Sequence, residues 1–500
     1  MKAVQDFDKQ IASDRKAFVF AKDQEVWTWR RLSSEVNRLA GGLIRLGIQP
    51  GDRVALHMAN LPEFVVAYLA CFQVGAVAAP LNIRLKKPEL EPLLQRLRPS
   101  LYIGQAALYS QIASVDESIL AANRRFVVDG PVNDRRAQPW FHLLDYINGA
   151  QVRRPIDTNA PAVLLTTSGT TGQPKFVIHT LATLRKSTQS FVHWNLNTNQ
   201  TAAMALPIAH ASGCFTSLAC LWSDVPFVLF ERFDPEQVLD GIETHRCTWL
   251  LGLPFMFGAL LRSQEARARR VDSLRTSLVG GDVCPAQIQE RFSSVFGVPL
   301  RSVWAATEAV ACLTYGSELG PISRVVNGTE IRLVDNQQAP VATGEIGELL
   351  LHSPNLSIGY WAGPGLVERA PKDGWYHTGD LMRQDEKDNL WFVSRKKYLI
   401  IRGGSNISPV EVEQVLISHP AVQDAAVIGV PDAELGERVA GFIQLESTDP
   451  QSVTLKNIRS YLAERLADYK IPEQLRIVSE IPRNALGKVD RNALSSLLSN

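Results

Sequence analysis

Cysteine is scarce: six residues in five hundred, at positions 71, 214, 220, 247, 284 and 312, with no Cys-x-x-Cys pair among them. The nine histidines do not gather near them either. Neither a disulfide framework nor a zinc site is therefore expected, and a reducing cytoplasm is the expected setting. An excess of one charge is also missing. The chain has 52 Lys+Arg against 51 Asp+Glu, a net charge of +1, which argues against a strongly basic nucleic-acid binder or an acidic tail protein. Internal repeats and low-complexity tracts are absent, and 33 glycines with 28 prolines rule out a collagen-like chain. No apolar run follows the first six residues, so no secretory leader is expected. The most apolar stretch, 64–81, has the length of a membrane span, but Gln73, Gly75 and Pro80 interrupt it. It reads as a buried helix turning into a buried strand.

What is present is the material of several ordinary cores: 45% hydrophobic and 21% charged residues, enough for two to four domains. Thr28 can cap a helix carrying Leu32, Val36, Leu39, Leu43 and Leu46, which stops at Gly47. Helical and strand-like patterns then alternate past residue 300, the signature of a parallel sheet covered by helices. From about 325 the pattern becomes that of antiparallel strands, at 329–335 and 347–352. After Arg395 a small α+β unit is expected, with helices near 409–418 and over Leu455, Ile458, Leu462 and Leu466, and strands at 425–430, 439–445 and 474–478.

The string Thr166-Thr167-Ser168-Gly169-Thr170-Thr171-Gly172-Gln173-Pro174-Lys175 follows an apolar strand. Its glycines free the backbone to fold around a ligand, its hydroxyls can donate, and Lys175 adds positive charge. Those are the needs of a polyphosphate cradle, although the Walker spacing is absent. Taken alone, such a string is more often a flexible polar loop.

This string resembles the phosphate loop of the adenylate-forming enzymes, the group of acyl-CoA synthetases, firefly luciferase and peptide-synthetase adenylation domains. Four further motifs resemble that family's in the same order: Trp304-Ala305-Ala306-Thr307-Glu308, Tyr376-His377-Thr378-Gly379-Asp380, Ser394-Arg395-Lys396-Lys397 with Arg402-Gly403-Gly404-Ser405-Asn406, and Pro482-Arg483-Asn484-Ala485-Leu486-Gly487-Lys488. With weaker similarity from Trp27 onward, the resemblance spans nearly the whole chain, and it is nearest to the acyl- and aryl-CoA ligases.

The resemblance implies an α/β fold with a large N-terminal part, 1–394, built of two α/β subdomains and a β subdomain. A hinge at 395–397 and a mobile α+β cap at 398–500 would follow. It implies ATP, Mg²⁺ and coenzyme A as cofactors. Thr167, Ser168, Gly169, Thr170, Thr171, Gly172 and Lys175 would hold phosphates; Thr307 would touch phosphate and Glu308 would hold Mg²⁺. Gly281 and Trp304 would lie at adenine, Asp380 and Arg395 at the ribose, and Lys397 at the hinge. Gly403 and Gly404 would line the pantetheine tunnel. Lys488 would be the catalytic lysine and His210 would gate the acid pocket. The chemistry agrees: a carboxylate attacking a polyanion needs nearby cations, and a carboxylate can accept both hydroxyls of a ribose. Read singly, Glu308 is a solvated carboxylate, Lys488 a surface charge, His210 a structural histidine and Trp304 a core aromatic.

Four positions depart from the family: Ala305 where Gly is usual, Phe176 for Gly, Ser394 for Gly and Tyr398 for an acid. They bear on pocket shape and hinge behaviour. The implied reaction joins a carboxylic acid to a thiol through an acyl-adenylate, with CoA as the first choice of thiol. Alternatives are an enzyme that loads a carrier-protein phosphopantetheine, a non-catalytic nucleotide sensor, and luciferase-like oxidation. The segments 210–214 and 309–312, expected to line the acid pocket, contain no charged residue, and Ala211 stands where amino-acid-activating relatives carry Asp. An uncharged monocarboxylate is therefore expected, aromatic or of short to medium chain, since a buried ammonium without a partner is costly.

Overall fold

A computed structural model describes residues 13–144, 154–167, 175–316, 318–364, 366–369, 373–403, 405–446, 454–484 and 487–498. Among the described residues the chain forms four sheets. In the largest, Pro161–Thr167, Val77–Pro80, Arg53–His57, Leu101–Gln105, Arg125–Val128 and Ala137–Pro139 lie parallel, as the alternating pattern implied. Its other edge departs from that expectation. Lys175–Thr180, Gly359–Gly363 and Leu366–Arg369 are added antiparallel. The connection from Thr167 to Lys175 is too short for the crossover a parallel pair requires, so the chain returns directly.

A second sheet runs Leu300–Ser302, Thr276–Val279, Trp249–Gly252, Ala202–Met204, Phe227–Leu229 and Lys16–Phe20, all parallel, with Glu25–Thr28 antiparallel at its edge. One continuous apolar cluster joins the two sheets and the helices between them. The helix Pro62–Val74 lies inside this cluster and is buried almost all round, which is why its sequence is an apolar run without a polar face. It ends at Gly75 and passes into Val77–Pro80, the helix-to-strand reading of 64–81. Among the described residues no helix is long and apolar enough to cross a membrane. Thr28 caps the helix Trp29–Arg45 by accepting from the Arg31 N–H, a contact worth about 1 kcal/mol.

The third sheet is antiparallel throughout its described pairs: Leu313–Tyr315, Ile322–Val325, Leu390–Arg395, Tyr376–Gln384, Ile346–His352 and Glu330–Val334. It starts at Leu313, earlier than the change of texture near 325, because its first strand is too short to leave a pattern. The fourth sheet holds Ser405–Ile407, Ile400–Arg402, Gly436–Leu445 and Val422–Asp432, with Gln474–Val478 parallel to Gly436–Leu445. Its own core packs Ile400, Val412, Leu416, Ile443, Ile458 and Leu462. Leu466 lies beyond the helix Leu455–Ala463 on which it was expected. Its N–H still reaches Leu462 O at 2.8 Å, and it packs on the same core.

Candidate active site

The candidate site lies where loops from the four sheets meet. Thr167 and Lys175 are register partners at the ends of their strands. Ser168, Gly169, Thr170, Thr171 and Gly172, together with Gly404, lie outside the described residues. Beside Lys175 runs the strand Gly359–Gly363, which pairs Tyr360 with Val177. The Lys175 ammonium stands 5.0 Å from the centre of the Tyr360 ring. The Tyr360 hydroxyl donates to Glu308 Oε1 at 3.0 Å. Burial and the adjacent Glu308 carboxylate push the phenol pKa well up, so Tyr360 remains a donor.

Thr307 is held from behind. Nε2 of the fully buried His179 lies 2.8 Å from Thr307 O. A carbonyl only accepts, so that nitrogen carries the proton. Burial lowers the His179 pKa to about 4, which keeps the ring neutral and in that tautomer. Its ring meets Phe215 edge-on at 4.9 Å. The Ser357 N–H donates to Glu308 O at 2.8 Å, so both peptides of the Thr307-Glu308 pair are tied down.

Asp380 and Arg395 face each other as register partners on adjacent strands. Trp304 Nε1 donates to Asp380 Oδ2 at 2.7 Å. Arg395 Nε lies 2.9 Å from Asp380 Oδ1, yet off the line of a hydrogen bond, so that buried oxygen has a charge beside it and no aligned donor. Burial raises the Asp380 pKa, and Arg395, Trp304 and Lys488 oppose the rise. The contact refines the expected role of Trp304: its indole N–H is committed to Asp380.

Lys488 is half-buried on the loop that follows Gly487. Burial lowers its pKa; Asp282 and Asp380 act against that fall, and Arg395 adds to it. The structure thus brings Lys488, Asp380, Arg395 and Trp304 together. Leu253 is the packing element between loops here: a Cβ added at Gly281 would come within 2.7 Å of it, and one at Gly487 within 3.8 Å. A side chain at Gly281 would have to displace Leu253, whereas one at Gly487 would first meet the Phe255 ring, 3.1 Å away.

Two expected residues stand apart from this cluster. Lys397 is exposed, with its ammonium 4.6 Å from the Tyr398 ring, whose centre is 4.7 Å from the Arg491 guanidinium carbon. Gly403 donates its N–H to Leu435 O at 2.8 Å, within the C-terminal sheet.

His210 precedes the helix Ala211–Trp222 and is half-buried, with its pKa lowered to about 4 by burial and by the charge of Arg84. That helix can approach the loop before it only because Gly213 has no side chain; a Cβ there would lie 2.1 Å from Pro207 O. Of the two segments expected to line the acid pocket, Val310 and Ala311 share one apolar cluster with Ala211 and Cys214. Ala309 and Cys312 instead belong to the core of the antiparallel sheet. Sequence reasoning missed Tyr360, His179 and Arg84, whereas Asp282 belongs to the Gly280-Gly281-Asp282 string expected beside adenine. Each of the three missed residues stands in an unremarkable local pattern, and only Tyr360, in Gly359-Tyr360-Trp361, sits where a glycine hints at close approach.

Residues 7–361 match the family model for an AMP-binding enzyme, and residues 411–488 match that for the AMP-binding enzyme C-terminal domain. The chain is 32% identical to a feruloyl-CoA synthase of Amycolatopsis sp over 470 residues, 92% of each chain. It is 31% identical to a medium-chain fatty-acid–CoA ligase of Escherichia coli (strain K12) over 488 residues, 93% of this chain and 84% of that one. Among solved structures it is similar to an anthranilate CoA ligase in complex with anthranoyl-AMP, with a TM-score of 0.89, 26% identity, and 99% and 98% of the two chains covered.

Proposed function

The chain belongs to the AMP-binding enzyme family, and from that premise we propose that it is an AMP-forming acid–CoA ligase acting through an acyl-adenylate. The observation that carries the reading is the group formed by Trp304, Asp380, Arg395 and Lys488 beside Thr307 and Glu308. It supplies a buried carboxylate oxygen that lacks an aligned donor, two cations, and an anchored acid. Those are what a ribose diol, an α-phosphate under attack and a triphosphate-bound cation require.

In the first half-reaction the substrate carboxylate attacks the α-phosphorus of ATP and pyrophosphate leaves. Asp380 Oδ1 accepts from a ribose hydroxyl, and the adjacent Arg395 charge favours the carboxylate form against the effect of burial. Lys488 offsets the charge where two anions meet. Lys175 and Thr167, with the loop between them, hold the phosphates. Magnesium fits the residues: Glu308 offers a hard carboxylate oxygen fixed by the Tyr360 hydroxyl, and would share the ion with the triphosphate. When bound, it neutralises charge on the phosphate oxygens. Tyr360 holds the Glu308 carboxylate in place. In the second half-reaction a thiol attacks the acyl carbon and AMP leaves.

The names of the relatives favour CoA over a carrier protein as the thiol. Residues 1–394 would then form the body, 395–397 the hinge and 398–500 the cap, with Gly403 and Gly404 at the thiol's path. The acid is an uncharged aromatic or short-to-medium-chain monocarboxylate, facing Ala211, Cys214, Val310 and Ala311, with His210 at the entrance. One observation favours a second reading: the charge of Arg84 reaches His210 and could receive a distal carboxylate. Pyrophosphate release across aromatic, fatty, dicarboxylic and amino acids, with and without CoA or a phosphopantetheinyl carrier, tests the proposal. Release that needs no acid, or that favours amino acids tenfold, would overturn it.

A further inference from the structure

The loop leading to His210 is held by two side chains from the opposite subdomain. Asn60, in the segment before the helix Pro62–Val74, and Tyr68, on that helix, are 3% and 1% exposed. Asn60 Nδ2 donates to Leu206 O at 2.9 Å and to Phe230 O at 3.1 Å. Its Oδ1 accepts from the Ile208 N–H at 2.8 Å. The Tyr68 hydroxyl donates to Ile208 O at 3.1 Å, and the Cys214 thiol lies against the same hydroxyl. Both polar groups of the Ile208 backbone are thus satisfied by side chains rather than by a strand or helix partner. Ile208 itself is fully buried. A buried peptide bonded this way has one position, since any shift would strand a donor and an acceptor.

His210 lies two residues further on. Its own N–H reaches Pro207 O at 3.0 Å, and its carbonyl accepts from the Cys214 N–H at 2.8 Å. The imidazole is therefore placed by a short loop whose anchor is the Asn60–Tyr68 pair. We propose that Asn60 and Tyr68 are positioning residues that set the place of His210 and the first turn of the following helix, and so the affinity and selectivity for the acid. The inference rests on the reading of the His210 segment as the acid pocket. Asn60 suits the task because one amide offers two donors and an acceptor on a short stem. Tyr68 adds a hydroxyl carried by a rigid ring, which stacks on Phe64 at 5.2 Å.

The test compares Tyr68→Phe, Asn60→Asp and His210→Ala with the parent enzyme, measuring KM for ATP, KM for several acids of graded size, and melting temperature. Tyr68→Phe keeps the ring and removes only the bond to Ile208 O. Asn60→Asp keeps the acceptor and loses both donors. Either variant is expected to raise the acid KM five- to tenfold and to reorder the acids, with KM for ATP within twofold. A merely structural role would lower the melting temperature without separating the two substrates. The inference is overturned if His210→Ala raises the acid KM while both other variants leave it within twofold, or if the acid and ATP constants move together. If His210→Ala itself leaves the acid KM unchanged, the acid-pocket reading fails instead. Should one variant not fold, the other decides on the same criterion.

Discussion

The Trp304 indole N–H donates to Asp380 Oδ2 at 2.7 Å, which ties an aromatic residue of the second sheet's last loop to a buried carboxylate of the antiparallel sheet. The bond leaves Oδ1 as the oxygen able to accept from a ligand. Hydrogen bonds to charged groups are worth about 1.5–3 kcal/mol. Trp304→Phe keeps the aromatic face and loses this donor, so KM for ATP should rise about tenfold or more. Equal ATP affinity in Trp304→Phe, measured by pyrophosphate exchange, would assign any effect of this residue to stacking alone.

Lys488→Ala should abolish adenylate formation and spare thioester formation from a synthetic acyl-AMP. Charge neutralisation is needed only while the carboxylate meets the phosphate. Burial lowers the Lys488 pKa below 10.5, and the protonated form is the active one. Activity should therefore be present below the lowered pKa and fall as pH rises through it. The alkaline limb of kcat/KM for adenylation should lie below pH 10.5 and move upward in Lys488→Arg. Adenylation by Lys488→Ala within threefold of the parent would remove this residue from the mechanism.

Tyr360→Phe should loosen Glu308, whose Oε1 accepts from the Tyr360 hydroxyl at 3.0 Å. The Mg²⁺ concentration giving half-maximal adenylation should rise several-fold, and Mn²⁺ binding followed by its paramagnetic resonance in the presence of ATP should weaken in parallel. Unchanged metal affinity would make Tyr360 a packing residue only.

Lys397→Pro should fix the backbone at the boundary between the antiparallel sheet and the C-terminal sheet. Lys397 is exposed, while its neighbour Lys396 is anchored to Glu348 at 2.8 Å. If the cap alternates between half-reactions, thioester formation should slow more than adenylation. Equal slowing in single-turnover assays of each half would count against alternation.

Three histidines, His57, His179 and His210, have pKa values lowered to about 4, each with burial as the first cause. In the unfolded chain they would titrate near 6.5. Between these values the unfolded state binds more protons, so their contribution to stability is present above pH 6.5 and lost as pH falls toward 4. Unfolding near pH 5 should take up roughly two to three protons from these groups. The slope of denaturant stability against pH measures this, and His57→Gln should reduce it by about one proton. A flat slope between pH 6.5 and 4.5 would contradict the assignment.

Much of the architecture could be read along the chain because it is encoded locally. The Thr28 cap, the apolar helix before Val77–Pro80 and the alternating strands of the antiparallel sheet each announce themselves within a few neighbours. The antiparallel edge of the largest sheet escaped that reading, since Lys175–Thr180 is as apolar as its parallel neighbours and period alone cannot give direction. The two segments expected to line the acid pocket part company in the fold: Val310 and Ala311 pack in the core that also holds Ala211 and Cys214, while Ala309 and Cys312 turn to the core of the antiparallel sheet.

By itself the sequence determined the family, through motifs whose chemistry and order survive in a linear string; those at 166–175, 304–308 and 482–488 fall within the matched spans 7–361 and 411–488, and those at 376–380 and 394–406 lie between them. Tertiary structure alone decided what holds those motifs. Tyr360 reaches Glu308 across 52 positions, His179 reaches Thr307 across 128, and Asn60 reaches Ile208 across 148. No local pattern marks such partners. A buried tyrosine, histidine or asparagine is chosen by the donor or acceptor that packing brings opposite it, and that choice exists only once the sheets have come together.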